Sequence, residues 1–201
     1  MTGTKAPLKT TMIGSFDPIA GPDARVLILG TAPSVRSLEL QQYYGHPQNA
    51  FWPIMVALFA DRSELDYPSR VEMLVRSRVA VWDVLQSAER PGSLDSSIVD
   101  ASAVSNDIAG FLAEHPGVLH VFFNGAKAQD LFKRHVASAN SLGSALEFHR
   151  LPSTSPANAV ASFDAKLQAW SEVRNAAQGG YQTHSADGRE RWTCLRRMGR
   201  S

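Results

Sequence analysis

Residues 25–52, RVLILGTAPSVRSLELQQYYGHPQNAFW, decide how the chain is to be read. The first six, RVLILG, form a short apolar run closed by Gly30, which suits a strand buried on both faces. Residues 50–60, AFWPIMVALFA, read as a helix with Pro53 inside its first turn, where a missing amide loses no intrahelical partner. Between strand and helix lie Pro33, Pro47, Gly45, Tyr43, Tyr44, His46 and Asn49, more side-chain chemistry than a plain link needs. Long, aromatic, polar loops above an α/β sheet usually hold a ligand.

Working outward, three more strands are expected: VAVW at 79–82, VLHVFF at 118–123 and the alternating ALEFHRL at 145–151, the last at a sheet edge. Helices are expected at 68–77, at 102–115 (Val104, Ile108, Phe111 and Leu112 in helical spacing, stopped by Pro116-Gly117) and at 125–136. Ala159, Phe163, Leu167, Trp170 and Val173 mark one face of a closing helix. Residues 1–24 read as an irregular lead-in, and the turn-rich segment 86–98 as a surface loop. The order βαβαβαβα implies a three-layer α/β/α fold around a four-stranded, mostly parallel sheet.

With 201 residues and 44% hydrophobic content, one domain is expected, over residues 1–177. Up to Ala177 the chain holds 15 basic and 17 acidic residues; after it, 5 and 2. The body is thus slightly acidic and 178–201 reads as a basic, disordered tail, so bulk charge counts against tight non-specific DNA binding unless a local patch exists. Cys194 is the sole cysteine, which excludes an internal disulfide and a four-cysteine iron–sulfur or zinc site from this chain alone. The opening residues lack an apolar targeting core, and no apolar run approaches membrane-spanning length, so a soluble, cytoplasmic protein is expected.

All carboxyl ends of a parallel sheet share one edge. Gly30 to Pro33, Asp83, Asn124-Gly125 and Pro152 to Asn158 should therefore converge on one crevice. GTAPSV has neither the dinucleotide glycine fingerprint nor a Lys-Ser/Thr phosphate loop. The six histidines are scattered, with no pair at metal-ligand spacing, and no metal or other cofactor is expected. Ser153-Thr154-Ser155 has no histidine at nucleophile-elbow spacing.

Four blocks carry a resemblance: GTAPSVRSLELQQYYGHPQNAFW (30–52), VWDVLQSAERPGSLDSSI (81–98), VFFNGAKAQDLF (121–132) and LPSTSPANA (151–159). In order and spacing, over roughly residues 22–175, the chain resembles the uracil-DNA glycosylase superfamily, above all its hypoxanthine-DNA glycosylase branch, the sixth family. The first two blocks are also similar to the mismatch-specific uracil and thymine glycosylases, whose first motif reads G-I-N-P-G. There the Asn holds the attacking water, whereas Ala32 stands at that place here. The sixth-family pattern assigns the catalytic role to the Asn before Ala-Phe-Trp, which is Asn49.

The resemblance implies a monofunctional glycosylase acting on damaged DNA as a monomer, with hypoxanthine as the expected base. Cleavage passes through an oxocarbenium-like sugar, so a neutral amide that aims water suffices. Asn49 equally suits an N-cap for the helix that follows, and the two roles can coexist. The family's stacking aromatic matches Phe51, while Trp52 reads as core. Hypoxanthine presents an N1–H donor and an O6 acceptor; Asn124 offers both complements, and Asp83 stands where relatives read the base. Loop bracing is the competing role for Asp83. Ser153, Ser155 and Pro156 match the loop that grips the strand beside a flipped nucleotide, although Ser155 also suits a cap for the closing helix. Gly30, Tyr43, Tyr44 and His46 are expected around the pocket mouth. Two alternatives stay open: a uracil or mismatch-specific uracil/thymine glycosylase, and a non-catalytic α/β module that binds nucleobases or DNA.

Overall fold

The computed structural model describes residues 10–62, 64–92, 94, 97–136, 142 and 145–179. In chain order the elements are β1 (Thr10–Gly14), β2 (Val26–Gly30), α1 (Val35–Leu40), α2 (Phe51–Phe59), α3 (Tyr67–Arg76), β3 (Val79–Asp83), β4 (Leu85–Pro91), β5 (Val104–Ser105), α4 (Ile108–Glu114), β6 (His120–Asn124), α5 (Ala126–His135), β7 (Glu147–Leu151) and α6 (Phe163–Ala177). Four strands form a parallel sheet in the order β3-β2-β6-β7. The chain runs outward from β2 to β3 and then returns to the other side of β2, so the order reverses beside β2. At such a point the flanking loops diverge and leave a crevice at the carboxyl edge.

Strand β2 is buried along its whole length because both faces are covered. Leu27 and Leu29 enter the apolar cluster under α4 and α5, while Val26 and Ile28 enter the cluster formed with α2, α3 and α6. The three layers expected from the element order are present, and β7 is the edge strand. Among the described residues no helix is long and apolar enough to cross a membrane.

Three expectations are corrected. Part of the lead-in is β1, and the segment read as a surface loop from residue 86 begins with β4; these two strands pair antiparallel, and with β5 they make a second, three-stranded sheet. Ile13, Leu85 and Ala88 turn inward from it to join the α4/α5 cluster. The alternation that signals a half-buried strand is interrupted there by turn-forming residues, which concealed it. The helix expected from 102 is broken too: Asp100–Ser102 is a 3-10 turn, Val104 is in β5, and α4 starts only after Asp107, whose carboxylate accepts the Gly110 amide at 2.9 Å. An N-cap overrode the apolar spacing. Past Gly179 the expected tail, with His184 and Cys194, lies outside the described residues.

Candidate active site

At the carboxyl edge, Gly30 and Asp83 are register partners, as are Asn124 and Leu151. The side chains that the sequence brought forward are delivered from there. A Cβ added to Gly30 would stand 2.3 Å from Asp83 Oδ1 and 3.0 Å from the Tyr44 hydroxyl, so both groups close directly on the glycine backbone. Glycine is required by close approach here, since its φ lies outside the left-handed region. Asp83 is only 3% exposed, and the Asn106 amide nitrogen donates to its backbone carbonyl at 2.8 Å.

The start of α2 is secured without a side-chain cap at Ala50. Asn49 Oδ1 accepts the Phe51 amide at 3.0 Å, and the Ala50 amide donates to the Thr154 carbonyl at 3.0 Å. His46 shapes the approach: its carbonyl accepts from the Asn49 amide at 2.9 Å, and its Nδ1 from the Gln48 amide at 3.2 Å. An sp² oxygen has two lone pairs, so the Asn49 oxygen bound to Phe51 retains one acceptor direction.

Phe51 is fully buried. The Trp52 and Trp170 rings meet it edge-on, at centroid distances of 5.1 and 5.9 Å, and Tyr44 stacks on it at 3.8 Å and 19°. Tyr44 reaches that place with φ at 52°, a left-handed conformation that few non-glycine residues adopt. Trp52 is a core residue, its indole N–H bound to the Tyr43 carbonyl at 2.8 Å. Tyr43 is held by the Phe16 and Asp17 carbonyls, each at 3.2 Å. Burial, with the nearby Asp83 charge adding to it, pushes its phenol well above the ordinary tyrosine range, so it stays neutral. With Ser15, Phe16, Asp17 and Tyr67 it lines an open cleft of about 420 Å³. The lead-in therefore contributes a wall that its irregular sequence did not reveal.

Thr154 ties the edge together and was not singled out in the sequence. Its amide donates to Asn124 Oδ1 and its hydroxyl accepts from Asn124 Nδ2, both at 2.9 Å, while its carbonyl holds α2 through Ala50. Asn124 keeps one N–H and one lone pair beyond these bonds. Gly125 follows with φ at 97°, and a Cβ there would stand 2.9 Å from that of Ser153. Ser153 Oγ accepts the Ser155 amide at 3.2 Å and Ser155 Oγ the Ala157 amide at 3.3 Å, which winds the loop into a turn with Pro156 exposed. Ser155 does not cap α6: Ser162 does, accepting the Ala165 amide at 3.2 Å. The loop is supported by α6, where Trp170 Nε1 donates to the Pro152 carbonyl at 3.0 Å and buried Lys166 to that of Asn158 at 2.9 Å. From the second sheet, buried Arg90 donates to the Pro33 carbonyl at 2.8 Å. Its role was missed because the segment around it reads as turn.

The family model described as the uracil DNA glycosylase superfamily matches residues 18–174, most of the chain. The chain belongs to the uracil-DNA glycosylase superfamily. Two hypoxanthine DNA glycosylases, from Methanosarcina barkeri and Methanosarcina acetivorans, are 34% and 35% identical to it over 114 residues. In each case that is 56% of this chain and 71% of the relative. The solution NMR structure of a candidate uracil DNA glycosylase from Methanosarcina acetivorans superposes with a TM-score of 0.69 at 29% identity, over 84% of this chain and 99% of the other. The fold is thus shared with a solved structure, and the chain is a DNA glycosylase by family.

Proposed function

We propose that the protein is a monofunctional DNA glycosylase that hydrolyses the N-glycosidic bond of deaminated bases, hypoxanthine first, by direct attack of water. The observation that supports this reading is the hydrogen-bonded path from Asn124 through Thr154 to Ala50, which ties the end of β6 to the residue between Asn49 and Phe51.

In this mechanism the free lone pair of Asn49 Oδ1 accepts an O–H of the attacking water and aims its oxygen at C1′ of the flipped nucleotide. As the C1′–N bond breaks, the sugar takes on oxocarbenium character and the electron pair leaves with the base; the water oxygen then bonds to C1′, and the proton it sheds is taken up, by way of solvent, by the departed base. Position supplies most of the advantage, because a reactant held in line gains the entropy a free one would lose. Fixing the Asn49 amide through Phe51 serves that end. Unpaired donor and acceptor directions at Asn124 complement O6 and N1–H of hypoxanthine, and the Asp83 carboxyl closes over Gly30 on the strand between them. Phe51 offers its ring face to the base, so the stacked Tyr44 ring has to swing away on base entry. Ser153 and Ser155 use their oxygens inside the turn while their O–H hydrogens stay able to donate to phosphates, beside Pro156. Gly30 and His46 shape the walls. The acting form is a monomer, its glycosylase domain residues 1–177.

A panel of duplex and single-stranded oligonucleotides, each with one inosine, uracil or thymine-mismatch lesion, tests the proposal. Inosine is expected to be released fastest, leaving an abasic site with the strand intact until alkali is added. Uracil release well above inosine release would move the assignment to the uracil or mismatch enzymes. Binding to every lesion with release of none would make the protein a non-catalytic reader.

A further inference from the structure

The opposite edge of the sheet carries a second cluster, outside the groups invoked for base release. His120 opens β6 and Glu147 opens β7, and the parallel register sets them side by side, with His149 two residues further along β7. Residues two apart on a strand share a face, so all three side chains project from the same side of the sheet. His120 Nδ1 lies 3.3 Å from His149 Nε2 and 3.6 Å from Glu147 Oε2, and those last two atoms are 3.7 Å apart. Three ligating atoms thus form a nearly equilateral triangle.

That size is informative. Zinc bonds to His and carboxylate measure about 2.0–2.2 Å, so donor atoms around a tetrahedral ion stand roughly 3.3–3.6 Å apart. Ordinary hydrogen bonding would leave the carboxylate about 2.8 Å from one imidazole. Here it is well beyond that from both rings, nearly equidistant. The donor set matches too, since imidazole with carboxylate suits zinc and its first-row neighbours. The His120 and His149 side chains are 13% and 11% exposed and that of Glu147 33%, which gives a sheltered site with one wet corner. Phe122 stacks on the His149 ring at 4.6 Å and 20°, which fixes its plane. A cavity of about 410 Å³, lined by His120 with Arg25, Leu119, Ala176 and Gly179, adjoins the cluster.

We propose that His120 Nδ1, His149 Nε2 and Glu147 Oε2 form a binding site for one zinc-class divalent ion, with water as fourth ligand. Binding turns both ring lone pairs inward, and any proton on an inner nitrogen moves to the outer one or to solvent. Because the ligands bridge β6 and β7, the ion clamps the edge strand of the sheet. The proposal is independent of the glycosylase reading.

The test uses the full chain, stripped with a chelator and then titrated with Zn(II) by calorimetry and with Co(II) by visible absorption. One equivalent of zinc should bind, raise Tm and displace Co(II), whose bound form should show the intense visible bands of a tetrahedral site. Glu147→Gln, His149→Gln and their combination should each weaken zinc at least about tenfold, the low end for a lost supporting contact. Absence of stoichiometric zinc overturns the proposal. So does an equivalent bound with undiminished affinity in the double variant, which would put the metal elsewhere, for example on His184 and Cys194. If His149→Gln folds poorly, as judged by near-ultraviolet circular dichroism, Glu147→Gln decides alone, being half-buried and nearly isosteric.

Discussion

Strands β6 and β7 end in two different kinds of chemistry, about 13 Å apart at roughly 3.3 Å per residue. At their carboxyl ends, Asn124 and Thr154 bind one another and hold the start of the helix that carries Phe51, just after Asn49. At their amino ends, the ring nitrogens of His120 and His149 and the Glu147 carboxylate face one another at 3.3 to 3.7 Å. The first assembly is delivered by loops following strands; the second is made by register alone. Loops carry groups that are neighbours in sequence and therefore form motifs, whereas register joins residues 27 positions apart that have no shared local pattern.

The comparison breaks first if the carboxyl edge is not the reactive one. Asn49→Ala should lower single-turnover base release by about a hundredfold or more, the penalty for a misaligned reactant, with DNA affinity kept. Unchanged release would remove Asn49 from the mechanism. Next, Gly30→Ala should destabilise the fold by about 1–3 kcal/mol, as overpacking does, because the new Cβ meets Asp83 at 2.3 Å. Urea midpoints of the variant and parent, with m compared, measure this. Thr154→Val keeps the shape but leaves Asn124 Nδ2 without its partner, for roughly 1–2 kcal/mol. Base release should fall with it, and Thr154→Ser should restore both. The smallest effect belongs to the other edge: in chelator-treated protein, Glu147→Gln should shift stability by less than about 1 kcal/mol, because the ion pairs it removes are long and the carboxylate stays a third exposed. Added zinc should widen that difference, and a large loss without zinc would mean that the carboxylate is structural in its own right.

Much of this edge was legible. Every group named from the strand ends, from Gly30 through Asp83 and Asn124 to Ser153, lies at the carboxyl edge, since a parallel sheet leaves that edge no alternative. The stacking of Tyr44 on Phe51 was not legible, because it depends on one left-handed residue in a loop. Nor was the work of Arg90, which donates to the distant Pro33 carbonyl, or of Thr154, whose own carbonyl accepts from the distant Ala50 amide. Backbone acceptors are present at every residue and leave no mark in composition.

By itself, then, the chain of residue types determined the layered α/β fold, four central strands and the edge on which polar groups gather, because apolar periodicity and strand ends are local properties. The second sheet, the reversal of order beside β2, the fastening of Asn124 to the start of α2 and the histidine–glutamate triangle were decided only by the tertiary structure. Each depends on which strand pairs with which and in what register. That choice is made by packing over the whole molecule and is written in no single stretch of it.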